Sequence, residues 1–101
     1  MSDAAAPVKV DDIAPDTVRV SGVLTFANAA KALDVVGSAV ARDGRRVIDL
    51  SGVTRSDSAG LACVLAVMSG AAERGRPLTV RNMPEGMHLL ASVCEVEGLL
   101  T

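Results

Sequence analysis

Between Thr17 and Cys94 the chain alternates short β-branched runs with longer stretches of helical period, and that alternation leaves few architectures open. Strands separated by helical segments imply right-handed βαβ crossovers and a mixed sheet covered by helices. Val8-Lys9-Val10 reads as a short edge strand, followed by Asp11-Asp12 and a Pro15-Asp16 turn. Thr17 to Leu24 is a strand interrupted by Gly22, which points to a bulge or a close backbone approach. From Phe26 to Arg42, Ala29, Leu33, Val36 and Val40 recur at helical spacing, with Thr25 placed to cap the start and Gly44 to stop the end. Arg45 to Leu50 reads as a buried strand, Ser51 to Arg55 as a loop, and a second helix runs to about Arg74 from a cap at Asp57 or Ser58. Gly75-Arg76-Pro77 ends it, Leu78 to Asn82 is a strand, and Pro84 opens a last helix that aligns Met87, Leu90, Ala91 and Cys94. The expected order is ββαβαβα, an α/β fold with a mixed four- to five-stranded sheet and helices packed on it.

The second helix is unusual in having no charged face. Leu61, Val64, Leu65 and Met68 make one side of large residues, while Ala59, Cys63, Ala66 and Gly70 make a smooth side of small ones. A surface helix ordinarily carries Lys and Glu there. The smooth side therefore implies either a second buried layer or docking against a partner, and self-association where no partner is present.

A length of 101 residues supports one core, which must be built from Val, Leu, Ile, Ala and Met because the chain has one Phe and no Trp or Tyr. Base-stacking platforms and aromatic cages are thereby excluded. Ten Lys and Arg stand against 12 Asp and Glu, so there is no basic field for nucleic acid. Cys63 and Cys94 lack zinc spacing and fit a reduced compartment. Residues 1–7 read as a flexible tail without the basic start and apolar core of a secretory signal, so a cytoplasmic location is expected. The longest charge-free stretch, Ser58 to Ala72, is short of the ~20 apolar residues of a membrane span, so direct membrane insertion is not expected.

No catalytic constellation emerges. His88 lies on the predicted last helix, far in sequence from Cys63, and Asp11, Asp12 and Asp16 read as a solvated loop cluster rather than a metal site. Gly70 to Pro77 imitates P-loop spacing, but Arg76-Pro77 replaces the Lys-Ser/Thr pair and the segment ends a helix instead of opening one. Neither enzymatic activity, ATP binding nor a cofactor is expected.

The most informative segment is Asp49-Leu50-Ser51-Gly52-Val53, then Thr54-Arg55-Ser56, then Asp57-Ser58-Ala59-Gly60-Leu61. It resembles the signature of STAS domains, the anti-sigma-factor-antagonist family, in which an apolar strand and D-L-S lead to D-S/T-x-G-L opening a helix. The likeness extends from Val18 to the last helix. Leu24-Thr25-Phe26-Ala27 and the closing stretch from Asn82-Met83-Pro84-Glu85 to Leu99-Leu100 look like the short, stand-alone MlaB-like branch. Ending at Thr101 would leave little room for the final strand and helix of longer STAS domains, as the resemblance to that branch implies. Residues 8–101 would then form a single STAS domain.

The resemblance implies a non-enzymatic subunit that binds and regulates the cytoplasmic ATPase of an Mla-type ABC transporter, which moves phospholipids between the membranes of Gram-negative bacteria and maintains outer-membrane lipid asymmetry. It would sit at the inner face of the inner membrane. Ser56, Asp57, Ser58, Ala59, Gly60 and Cys63 are the implied partner-binding and regulatory residues. The alternative is an anti-sigma-factor antagonist whose Ser58 is phosphorylated by a partner serine kinase. Ser58 has no neighbouring base to make it a nucleophile. A phosphate there would sit in the favourable field of the helix N-terminus and block docking rather than unfold the domain. Simple capping by Ser58, with Asp57 as a cap or loop brace, is the competing structural reading.

Overall fold

The computed structural model describes residues 8–42, 44–94 and 98. Its elements follow the expected order: β1 (Lys9–Ala14), β2 (Thr17–Leu24), α1 (Ala29–Val40), β3 (Val47–Ser56), α2 (Ser58–Glu73), β4 (Thr79–Arg81) and α3 (Glu85–Val93). The four strands lie in sequence order, β1 antiparallel to β2, then β2, β3 and β4 mutually parallel. The mixed sheet expected from the sequence is thus four-stranded. Residues 1–7 and Leu99-Leu100 lie outside the described residues.

Parallel strands added in order by right-handed crossovers carry their helices on one face of the sheet. Accordingly α1 packs against α2, and α2 against α3. Val18, Val20, Ile48 and Leu50 meet Val36 and Val40 of α1, Leu61, Val64 and Val67 of α2, and Met87 of α3. Each fully buried aliphatic side chain contributes about 1.5–3 kcal/mol. The core is aliphatic throughout, because the lone Phe26 is 84% exposed.

The opposite face carries charge. Strand side chains alternate, so Arg19 between Val18 and Val20, and Asp49 between Ile48 and Leu50, point away from the helices. The register sets Asp11 beside Arg19, Arg19 beside Asp49 and Asp49 beside Arg81, a rung of alternating sign across all four strands. Asp49 is 6% exposed, and its Oδ1 accepts from the Ser51 amide at 2.8 Å and from Asn82 Nδ2 at 3.2 Å. Burial pushes its pKa up, but those hydrogen bonds, the Ser51 hydroxyl and the Arg81 charge outweigh it and hold the carboxyl below its ordinary value. Asp49 joins β3 to the loop after β4, where Asn82 adopts a left-handed backbone, φ 58°.

Several local expectations need correction. Helix α1 begins at Ala29 rather than Phe26, and Asn28, not Thr25, holds the N-cap position. The Asn28 side chain turns back to accept from the Thr25 amide at 3.0 Å and to donate to the Val23 carbonyl, so residues 25–28 form a tight turn. The buried stripe of α1 is Ala32, Val36 and Val40, leaving Leu33 43% exposed. Ser51 to Arg55 is strand, not loop: β3 outlasts β4 and continues to pair with β2 as far as Ser56. Asp11 and Asp12 lie in β1, not a loop, and are paired, Asp12 with Arg45 at 2.9 Å and Arg42 at 3.5 Å, Asp11 with Arg19 at 4.0 Å. Pro84 is the N-cap of α3, and Cys94 is an exposed C-cap rather than part of the apolar stripe. Gly22, at φ 99°, sits at a register shift between β2 and β3, as its place in the strand implied.

Candidate functional site

The parallel strands β2 and β3 end side by side, with Leu24 opposite Ser56, so the turn into α1 and the start of α2 meet at one edge of the sheet. Asp57 fastens them. Its Oδ1 accepts from the amides of Ala59, at 2.9 Å, and Gly60, at 3.1 Å, satisfying donors that the first helical turn leaves unpaired. Its Oδ2 accepts from the Phe26 amide at 3.1 Å, and its own amide donates to the Leu24 carbonyl at 3.2 Å. Burial raises the Asp57 pKa, but the Phe26, Gly60 and Ala59 amides and the Arg55 charge prevail, so the carboxyl stays below its ordinary value.

Asp57 is therefore the cap and the loop brace, and Ser58 is neither. Ser58 is the first helical residue, exposed, its hydroxyl pointing no hydrogen bond back into the cap. Gly60 is buried because the helix leans on β2: a Cβ there would stand 2.1 Å from the Leu24 carbonyl oxygen. This close approach, rather than turn geometry, explains the glycine in Asp57-Ser58-Ala59-Gly60-Leu61.

The small side of α2 is divided between the two roles that the sequence left open. Cys63 is 6% exposed and belongs to the core, and burial pushes its thiol pKa up, away from nucleophilic use. It shapes the surface from beneath instead of presenting itself on it. Ala59, Ala62 and Ala66 face Ala29, Ala30 and Leu33 of α1 across an apolar groove of about 400 Å³. On the other side of the helix Leu61, Val64 and Met68 are buried and Leu65 is half-buried, as the spacing indicated.

Of the six residues singled out from sequence, Ser56, Asp57, Ser58, Ala59 and Gly60 are consecutive around the cap, and Cys63 is one turn further on. The sequence reading missed Phe26 as a surface residue, because it was placed inside α1. The signal was the Thr25-Phe26-Ala27-Asn28 run itself, where Asn ahead of Ala29 marks a later cap. Phe26 stands exposed with its amide bonded to Asp57, and Phe26 and Ser58 lie just ahead of Ala29 and Ala59, which line the groove. Among the described residues no group of His, Cys, Asp and Glu is arranged to hold a metal ion, and no helix is long and apolar enough to cross a membrane.

The family model described as "Mlab, STAS domain" matches residues 10–101. No curated protein matches the chain by sequence. Among solved structures, it is similar to an anti-sigma factor antagonist from Mycobacterium paratuberculosis, with TM-score 0.72 and 22% identity over 96% of this chain and 84% of that one. The anti-sigma factor antagonist SpoIIAA in its unphosphorylated form gives TM-score 0.68 and 13% identity over 94% and 86%. Murine solute carrier 26 family member A9, an anion transporter, gives TM-score 0.62 and 21% identity, this chain covering 14% of that one. The chain belongs to the STAS domain family.

Proposed function

We propose, from a chain that belongs to the STAS family and matches its MlaB model, that this protein is a non-enzymatic subunit which binds and regulates the ATPase of an Mla-type ABC transporter. The observation that carries this reading is the family match over residues 10–101. The docking edge would comprise Phe26, Ser58 and the α1–α2 groove. The protein would act from the cytoplasmic side of the inner membrane, in phospholipid trafficking that maintains outer-membrane lipid asymmetry.

The physics of the edge supports a contact surface. An aromatic ring 84% exposed on a braced turn gains by burial against a partner, and its backbone is already ordered by Asp57, so little entropy is lost on binding. The groove beside it is lined by small side chains that allow close approach of another surface. Ser58 lies at the rim, where an added phosphate would remain outward, since Asp57 already occupies the first amides of α2. It would repel an acidic partner surface and cost desolvation at any other.

The exposed Ser58 and the likeness to two anti-sigma factor antagonists favour a second reading, a partner-switching antagonist controlled by a serine kinase. One pull-down separates the two. The tagged chain is recovered from its own detergent-solubilised cells, with wild type and Ser58→Asp compared by mass spectrometry. Recovery of an ABC ATPase with its permease, lost with Ser58→Asp, is the expected result. Recovery of a serine kinase without a transporter overturns the transporter reading in favour of the second.

A further inference from the structure

The sheet face turned away from α1, α2 and α3 presents its charges mainly in one row. Asp11, Arg19, Asp49 and Arg81 are successive cross-strand neighbours in β1, β2, β3 and β4, so the row reads minus, plus, minus, plus. The side chains of Asp11 and Arg19 are 57% and 44% exposed, and Arg81 is exposed. Asp49 sits deeper, and its hydrogen bonds and the Arg81 charge keep it ionised. The row on one side, Ala14, Thr17, Val47 and Thr79, carries no charge, and the row on the other, Lys9, Ser21 and Gly52, adds only Lys9 at the sheet edge.

A row of alternating sign is complementary to a reversed copy of itself, which a patch of one sign never is. Consider a second molecule placed face to face by a two-fold axis that runs parallel to the strands, midway between β2 and β3. The copy's row is reversed, so Asp11 meets Arg81 of the second copy and Arg19 meets its Asp49, each pairing occurring twice by symmetry. In the uncharged row Ala14 meets Thr79 and Thr17 meets Val47, side chains small enough for the spacing of about 10 Å at which sheets stack. A two-fold along the row would instead set Asp on Asp and Arg on Arg. Charge therefore selects one symmetry and excludes the other.

We infer that this chain self-associates as a two-fold, face-to-face dimer through the open side of its sheet, with Asp11 and Arg81 as the outer contacts and Arg19 and Asp49 as the inner ones. Four strands about 4.8 Å apart and three rows about 6.6 Å apart give a face of roughly 400 Å² per copy. That is about half of the ~800 Å² per partner of a standard stable interface, so the dimer is weak and sensitive to salt. It uses the side of the sheet away from the α1–α2 groove and does not rest on which partner docks there.

The test is sedimentation velocity of the full chain over a range of concentrations, at physiological salt and at about 1 M NaCl, where the Debye length is about 3 Å. A dimer is expected at high protein concentration, weakened about tenfold or more by the added salt. Asp11→Lys and Arg81→Asp each set like charges opposite one another at both ends of the row, and each should weaken self-association about tenfold or more. Mixed together, the two variants should associate again, because each copy supplies the charge that the other has lost. Neither substitution can produce that rescue through an effect within its own molecule, and thermal melts confirm that both variants fold. A wild type that stays monomeric at every concentration, association indifferent to salt, or folded variants that fail to associate on mixing overturns the inference. So does association lost with Ala62→Asp but kept by both charge variants, which assigns it to the apolar groove instead.

Discussion

Replacing Gly60 by Ala tests whether the start of α2 rests on β2 as described. In a helix interior this change ordinarily stabilises by about 0.8–1 kcal/mol, because Ala loses less backbone entropy. Here the new Cβ would lie 2.1 Å from the Leu24 carbonyl oxygen and 2.9 Å from its carbon, which are backbone atoms of a central strand and cannot turn aside. Relief requires α2 to lift away, which strains the packing by about 1–3 kcal/mol or more. It also breaks the bond from the Asp57 amide to that same oxygen, worth about 1 kcal/mol. The propensity gain is offset by the lost bond alone, and Gly60→Ala should destabilise by about 1–3 kcal/mol, lowering Tm by roughly 4–24 °C at about 4–8 °C per kcal/mol for a domain of this size. Gly70→Ala, in the same helix, is the internal control. The nearest atom to its Cβ is Arg74 Nη1 at an ordinary 3.6 Å, so it should raise stability by roughly 0.5–1 kcal/mol. Far-UV circular dichroism is the assay, since without Trp or Tyr the chain has no useful intrinsic fluorescence. A Gly60→Ala melt at or above wild type, or shifts of the same sign for both variants, would refute the reasoning.

Asp57→Ala removes the cap and the Phe26 tether together and should cost about 2 kcal/mol in urea unfolding, whereas Asp57→Asn, which keeps one acceptor oxygen, should cost about half as much. Ser58→Ala should stay within about 0.5 kcal/mol of wild type, since an exposed hydroxyl outside the cap is replaced, and a loss near 1 kcal/mol would restore the capping role to Ser58. Asp49 and Asp57 both titrate below their unfolded value of about 3.9, so their contribution is fully present above that pH and is lost as pH falls through the folded values. Melts from pH 6 to pH 2 should show stability falling below about pH 4, with a shallower slope for Asp57→Asn. Phe26→Ala should leave the melt unchanged while weakening capture of the proposed ATPase partner, which a pull-down beside wild type reads directly.

The order of elements was legible because β-branched runs and helical spacing are local signals, and β2 was placed to the residue. What was not legible depends on neighbours far along the chain. Ser51 to Arg55 is polar and reads as loop, yet it is strand because β2 supplies a partner about thirty residues away. Asp11 and Asp12 read as a solvated cluster because Arg42 and Arg45 approach only after α1 has turned the chain back. Leu33 fits the helical stripe by spacing but faces a groove, since the exit from the Asn28 turn rotates α1 to bury Ala32 instead. The P-loop-like run from Gly70 to Pro77 closes α2 rather than opening a helix, as the sequence indicated. Its true geometry is a helix stop in which the Gly75 amide donates to the Ala72 carbonyl and the Arg76 amide to the Ala71 carbonyl.

The candidate site shows how a short motif can combine two independent demands. In Asp57-Ser58-Ala59-Gly60-Leu61, Asp57 satisfies helix amides, Gly60 admits a neighbouring backbone and Leu61 fills the core, and all three would be required of any chain joining these elements in this way. Ser58 answers to none of those demands. Its side chain is exposed and can change in size or charge without disturbing the cap, the close approach or the core, and unlike that of Ala59 it does not line the groove. A regulatory residue needs that freedom, because a switch that unfolds its own domain destroys the surface it is meant to control. The cap next to it also sets the direction of response: with the leading amides taken by Asp57, a new negative charge at Ser58 has no internal site to occupy and is expressed at the surface. Stability and partner binding should therefore separate cleanly across one peptide bond, with Asp57 variants moving the melt and Ser58 variants moving the affinity.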